Sequence, residues 1–336
     1  MKVMLTGGTG FIGYHTARAL LDAGHEVSLL VRNPDKMEKL FGAGVVEHFI
    51  QGDITDANRV REAMAGCDAV VHVAALVSTQ AGDAERVYRT NLEGTHNVIG
   101  GAVDLGIERI IHVSSVTALY NPNARTLHEE SPPGTQDRGY GRSKVACEKY
   151  VRTLQAEGHP VYITYPASVL GPEAPEMTEA HTGLQTYLAQ FVPLMSSGNQ
   201  YVDVRDIARA HLQILEQGPV SKRFVLGGEY IPWKELGSLL DELTGGSTRK
   251  LRLNSALMRA AGAMADRLAP VFNWDLPLTR EGLTYATCWI EMDDSLIREE
   301  LGFEFTPVRE TLADSIRWLH REGHITDEQA GRLAQL

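Results

Sequence analysis

"TGGTGFIG", residues 6–13, follows the apolar run Lys2–Val3–Met4–Leu5 and precedes a helix-like stretch beginning at Tyr14. Its glycines recur every third residue, as Gly7, Gly10 and Gly13. In a strand–loop–helix unit the first glycine permits a tight turn and the second lets the backbone approach a pyrophosphate. The third lets the helix pack close to the strand, and the helix N-terminus adds the positive end of its dipole. The same spacing also serves a plain turn between strand and helix, so the rest of the chain has to decide between the two.

Beyond the loop the chain alternates. Strands are predicted at 2–6, 26–31, 47–51, 69–74, 109–114, 161–166 and 223–227, and helices at 12–23, 56–65, 84–105, 140–157 and 203–217. Strands alternating with helices predict a parallel sheet covered on both faces, and runs such as "DAVVHVAAL" suit strands buried on both sides. The expectation is an α/β chain, a Rossmann-type doubly wound parallel sheet with a smaller, mainly helical C-terminal substrate domain. Residues 1–171 form the first unit, with 201–228 returning to it, and 172–200 with 229–336 the second. Within it, 172–202 reads as a loop with one short helix.

The second strand ends in "SLLVRNPDKMEK", which puts Arg32 nineteen residues after Gly13. An acidic residue there would accept hydrogen bonds from adenosine ribose hydroxyls. A guanidinium cannot accept, but its planar fork grips a 2′-phosphate. NADP(H) is therefore expected over NAD(H), with Lys36 or Lys39 adding positive charge.

Composition narrows the partners. The 336 residues carry 32 basic and 43 acidic side chains, a net charge of −11, with no Lys/Arg run, which speaks against nucleic acid. Cys67, Cys147 and Cys288 lie far apart, without disulfide or metal-ligand spacing, as expected of a cytoplasmic protein with no metal. The N-terminus shows no signal pattern. The uncharged stretch Thr182–Val202 is too polar to span a bilayer, and 255–272 reads as an amphipathic core helix rather than a membrane-surface one. The acids Asp293, Asp294, Glu299 and Glu300 read as a solvated helix start.

The next landmark is "GYGRSK", with Tyr140 and Lys144 on one helix face. Taken with "TGGTGFIG", "GDITD" (52–56), "NLEGTHNV" (91–98), "HVSSVTALY" (112–120) and "YVDVRDIARAH" (201–211), it makes the sequence resemble the extended short-chain dehydrogenases/reductases. The likeness runs on to the tail "LGFEFTPVRETLADSIRWL", and it leans to the dihydroflavonol-4-reductase-like branch. The resemblance implies a catalytic tetrad of Asn91, Ser115, Tyr140 and Lys144. Ser115 fits the family spacing to Tyr140 better than Ser114, which then neighbours the cofactor. It further implies Asp53 on the adenine side, the backbone of Ala74 and Ala75 along the pyrophosphate and ribose, and Pro166 and Ser168 beside the nicotinamide. Thr9, Phe11, Ile12, Ile54 and Leu76 complete that set. The family offers helices 84–105 and 140–157 as a homodimer face, yet this branch includes monomers.

The chemistry is coherent on physical grounds. A free tyrosine ionises near pH ~10, and a neighbouring ammonium favours its phenolate. Lys144 would supply that charge while holding the nicotinamide ribose. Tyr140 would then give a proton to a carbonyl oxygen as hydride arrives, or remove it in reverse. Ser115 would hold the substrate oxygen, and Asn91 would position a water linking Lys144 to solvent.

Three departures from the family's sugar enzymes narrow the reaction. Ser115–Val116–Thr117 lacks the acids that sugar dehydratases carry there, "YPASVLGP" has Ala167 where many nucleotide-sugar enzymes have Asn, and Arg32 suits exchangeable NADPH. The stretch Thr182–Val202 is apolar enough to wall a substrate pocket. Ser78, Thr117, Met177 and Tyr187 are candidate substrate contacts, with Trp274 a further possibility, and His181 reads as structural. The expected function is reduction of a small-molecule ketone or aldehyde. Two alternatives stay open: a nucleotide-sugar epimerase/dehydratase with bound NAD, and a non-catalytic NADP-binding sensor or scaffold.

Overall fold

Short apolar runs separated by amphipathic helices assemble, in a computed structural model of the chain, into a sheet whose neighbouring strands all run parallel. The structure describes residues 1–77, 81–137, 139–217, 220–260, 264 and 280–335. The strands are β1 (Lys2–Thr6), β2 (Glu26–Val31), β3 (His48–Gln51), β4 (Ala69–His72), β5 (Arg109–Val113), β6 (Val161–Pro166), β7 (Ser168–Leu170), β8 (Val192–Leu194), β9 (Gly198–Asp203), β10 (Arg223–Leu226), β11 (Glu229–Pro232) and β12 (Lys250–Arg252). Seven of them form the main sheet in the order β10-β6-β5-β4-β1-β2-β3. Val3, Met4, Leu5, Ala69, Val70 and Val71 are wholly buried, as strands covered on both faces require. The edge strand β3 is largely exposed, Phe49 included. β1 pairs with β2 on one side and β4 on the other. The connections there leave in opposite directions, which opens a crevice at the strands' carboxyl ends.

The helices through residue 244 are α1 (Phe11–Asp22), α2 (Pro34–Phe41), α3 (Ala57–Ala63), α4 (Ala84–Thr95), α5 (Gly101–Asp104), α6 (Gly139–Ala156), α7 (Glu179–Ala189), α8 (Val204–Gln217) and α9 (Trp233–Thr244). Asn33 caps α2 by accepting from Lys36 N at 3.1 Å, with Pro34 in the first turn, and Asp56 caps α3. The single helix expected over 84–105 is interrupted by a π turn at His96–Gly100 that joins α4 to α5.

Residues 172–202 differ from the expected loop with one short helix. They hold α7, β8 and most of β9. β9 pairs parallel with β7 and antiparallel with β11, and β12 pairs with β8, so the C-terminal part also contains strands. These strands escape a periodicity reading because they are short and carry Pro193, Asn199 and Gln200 among their apolar residues. A second buried cluster, including Leu184, Tyr201, Trp233, Leu240, Leu312 and Trp318, packs these elements together.

"YVDVRDIARAH" turns out to be a staple. Asp203 accepts from Thr311 Oγ1 at 2.9 Å, and Asp206 accepts from Thr306 N and Oγ1 at 2.6 and 2.9 Å. Arg205 bridges Asp203 and Asp314, so the tail helix Val308–Arg321 is bound to the start of α8. Of the helix expected over 255–272, residues 255–260 are helical and Met264 is described; the rest lies outside the described residues. Leu257 is 70% exposed and Met264 59%, so among the described residues these side chains of the expected core helix are not covered. Among the described residues no helix is long and apolar enough to cross a membrane.

Candidate active site

The glycine loop lies in the crevice, and its three glycines differ in what demands them. Gly7 has φ +77°, and a Cβ there would sit 2.8 Å from Ala74 N. A Cβ on Gly13 would sit 2.1 Å from Gly7 O. At Gly10, whose N–H donates to Gly7 O at 2.9 Å, an added Cβ would meet nothing nearer than 3.4 Å. The protein's own packing therefore requires glycine at 7 and 13 but leaves space at 10. α1 starts beside that space with no side-chain cap and no acid in its first turn. The leading N–H groups stay available to an anion, so the loop fits a dinucleotide pyrophosphate.

A continuous cleft of ≈ 990 Å³ runs from this loop past the ends of β2, β4, β5 and β6. All residues expected at the cofactor line it: Gly7, Thr9, Gly10, Phe11, Ile12, Gly13, Arg32, Lys36, Asp53, Ile54, Ala74, Ala75, Leu76, Ser114, Tyr140, Lys144, Pro166 and Ser168. Arg32 is exposed, and its guanidinium has no acidic partner among the described residues. Lys36 lines the cleft and pairs with Glu176 at 2.7 Å, whereas Lys39 is exposed. Asp53 Oδ1 accepts from Thr55 N and Oγ1 at 3.0 and 2.8 Å, which orients its carboxylate.

α6 delivers Tyr140 and Lys144 one turn apart at the cleft wall. Lys144 is 5% exposed; its Nζ donates to Val113 O at 3.3 Å and Ser114 O at 3.5 Å and lies 5.6 Å from the Tyr140 ring centre. These carbonyls at the end of β5 give the buried ammonium its acceptors. One turn further, the wholly buried Glu148 accepts from Ser114 Oγ at 3.0 Å, Tyr165 Oη at 2.6 Å and Arg152 Nε at 2.6 Å. That bond separates the two serines: the Ser114 hydroxyl points down to Glu148, while Ser115 lies half-buried in the cleft wall. Ser115 Oγ also accepts from Thr117 N at 3.2 Å.

Asn91 is a brace and does not line the cleft. Its Oδ1 accepts from Leu76 N at 2.7 Å, and its Nδ2 donates to Leu76 O and to Ser143 Oγ, both at 3.0 Å. Ser143 Oγ in turn donates to Tyr140 O at 2.7 Å. Both amide hydrogens are spent, so the Asn91 side chain ties the Leu76 loop to the first turn of α6. Beneath Lys144 lie two histidines the sequence pattern does not single out. Burial, with the Lys144 charge added, pushes His72 down to about 3 and His112 well below its usual range. Both are neutral.

The other end of the cleft is aromatic. Thr117 and Tyr187 line it, as expected, with Tyr120, Tyr201, Trp233, Tyr285 and Trp289. Met177 instead packs against the second core, and Ser78 and Trp274 lie outside the described residues. His181 is buried and hydrogen-bonded to Gly171 O at 2.9 Å and Thr178 Oγ1 at 2.8 Å, a structural arrangement. Tyr120 Oη donates to Cys288 O at 2.7 Å, and burial pushes its phenol up to about 12. The expected wall Thr182–Val202 contributes Gly183, Tyr187, Asn199 and Tyr201 to the cleft, while Trp233 and Trp289 escape a sequence reading because segments far apart in the chain bring them there. Asp293 accepts from Ser295 N at 2.9 Å and Asp294 pairs with Arg298, both at a helix start.

Residues 3–227 match the model of the NAD dependent epimerase/dehydratase family. The chain belongs to that family. It is 27% identical over 329 residues to a Synechocystis sp. protein provisionally named dihydroflavonol 4-reductase, covering 96% of this chain and 95% of the relative. It is 28% identical over 337 residues to sterol demethylase protein B of Methylococcus capsulatus, covering 97% and 100%. The solved structure of gox2253 superimposes with a TM-score of 0.79 at 26% identity, covering 96% of this chain and 99% of that one. The family is of the extended short-chain dehydrogenase/reductase type and works with nicotinamide dinucleotides. The glycine loop and cleft of this chain fit that cofactor class.

Proposed function

We propose that the chain is an NADPH-dependent reductase of an uncharged ketone or aldehyde, running in reverse on the secondary or primary alcohol. The observation that carries the reading is the convergence of Ser115, Tyr140 and Lys144 on one cleft that begins at Gly10 and Arg32. NADPH, when bound, supplies the hydride. Arg32 takes the 2′-phosphate through its fork, and the α1 N-terminus takes the pyrophosphate. Lys144, held by the carbonyls of Val113 and Ser114, places its positive charge beside Tyr140 and favours the phenolate that forms as Tyr140 Oη gives up its proton. Ser115 Oγ donates to the substrate oxygen and fixes it where that proton is delivered. Asn91 is a positioning residue that ties the Leu76 loop to α6.

An uncharged substrate follows from the aromatic half. Among the described residues no Lys or Arg lines the cleft from residue 166 onward, so a diphosphate would lose its hydration without a counter-charge. The absence of an acid in Ser115–Val116–Thr117 also weighs against elimination chemistry on a sugar. The deciding experiment follows NADPH oxidation with a panel of ketones, aldehydes and sugar nucleotides, with the Tyr140→Phe variant alongside. Turnover of apolar carbonyls that is lost in the variant supports the reading. Redox-neutral conversion of a sugar nucleotide with NAD retained by the protein would replace it.

A further inference from the structure

Among the described residues, the aromatic half of the cleft contains a polar seam. Ser168 Oγ donates to Asn199 Oδ1 at 2.9 Å, and Gln200 N donates to the same oxygen at 2.9 Å. The Asn199 side chain and the Tyr187 hydroxyl lie close to the Tyr201 hydroxyl. Ser168, Asn199, Tyr201 and Tyr187 all line the cleft. They sit on β7, β9 and α7, so the β7–β9 pairing aligns a connected run of polar atoms along one wall. The Tyr201 hydroxyl carries one O–H and two lone pairs and lies at the cleft surface. The Tyr187 hydroxyl likewise can donate one hydrogen bond and accept two. Polar atoms on an otherwise aromatic wall lose their hydration when a ligand fills the cleft, a cost that a matching ligand oxygen offsets.

We propose that this seam is a second polar anchor: it binds an oxygen function, hydroxyl or carbonyl, that the substrate carries apart from the carbonyl to be reduced. The proposal rests on the reductase reading, because Ser168 at the inner end of the seam is also a residue assigned beside the nicotinamide. The anchor is neutral and has no cation beside it among the described residues, so it selects a neutral oxygen over a carboxylate or phosphate. The substrate class narrows to a hydroxy- or oxo-substituted ketone or aldehyde with an aromatic or aliphatic body.

The test is a calorimetric titration of the protein held with excess NADP⁺. The ligands are benzylacetone, its three ring-hydroxylated forms and benzoylacetone. A single well-placed hydrogen bond predicts that at least one oxygenated member binds roughly five- to tenfold more tightly than benzylacetone. The Tyr187→Phe and Tyr201→Phe variants, each checked for an unchanged melting profile, should bring that ratio towards one. Gain with a phenol or with the dione tells which oxygen the seam takes. Equal binding of all ligands to the unmodified protein overturns the anchor, and so does a preference that both variants retain. The titration needs no turnover, so failure of every ketone to oxidise NADPH would count against the reductase reading and leave the anchor to be decided here.

Discussion

Replacing Glu148 with alanine removes a carboxylate that is wholly buried and accepts from Ser114, Tyr165 and Arg152. Arg152, whose side chain is 16% exposed, then keeps its charge with no carboxylate beside it. Ser114 Oγ loses its acceptor directly above. Breaking one side of a buried ion pair typically costs about 3–5 kcal/mol, and that range is expected here, because the three lost bonds share one acceptor group and do not add. Removing both charges together, as Glu148→Leu with Arg152→Met, should cost less than Glu148→Ala alone, since no unpaired charge is left behind. Urea unfolding of the wild type, both single variants and the double variant, with slopes compared, measures the cycle. A Glu148→Ala cost under about 1 kcal/mol, or a double variant worse than the sum of its parts, would refute the reasoning.

At the cofactor end, Arg32→Asp should weaken NADPH far more than NADH in cofactor titrations; equal loss for both would place the 2′-phosphate elsewhere. Tyr140→Phe should lower kcat by orders of magnitude with the Kd for NADPH nearly unchanged, and an active variant would remove Tyr140 from the proton path. Burial pushes His72 and His211 down to about 3, so the native chain holds them neutral while the unfolded chain protonates them. The unfolded state thus binds more protons, and stability should fall as pH drops from ~6.5 towards 3, by up to ~1.4 kcal/mol per pH unit for each histidine. Urea midpoints measured across that window would contradict this if they stayed flat.

The main sheet was legible because its strands are buried on both faces and therefore read as unbroken apolar runs. The glycine loop was legible because contacts such as Gly13 against the Gly7 carbonyl leave no other residue a place. Spacing favoured Ser115 over Ser114 without deciding between them; the downward bond to Glu148, thirty-four residues away, separates their orientations. Asn91 was legible as a site residue through the family pattern, yet its braces to Leu76 and Ser143 depend on how α4 packs beside α6. The aromatic half left the weakest trace. Its wall joins β7, β9, α7, α9 and the segment 285–292 through long-range pairing, and a strand such as "GNQYVD" has no alternation to announce it.

The order in which the chain is made gives the cleft an order of completion. β10, the last strand of the main sheet, ends at Leu226, so the sheet, the glycine loop, Tyr140 and Lys144 all precede that point. Tyr285, Trp289 and Met292, which close the aromatic half, and Thr306 and Thr311, which pin the tail to α8, come only afterwards. A nascent chain therefore carries every residue of its dinucleotide groove before it has the wall that would choose a substrate. The residues lining the dinucleotide groove are thus all made before the segments that close the aromatic half.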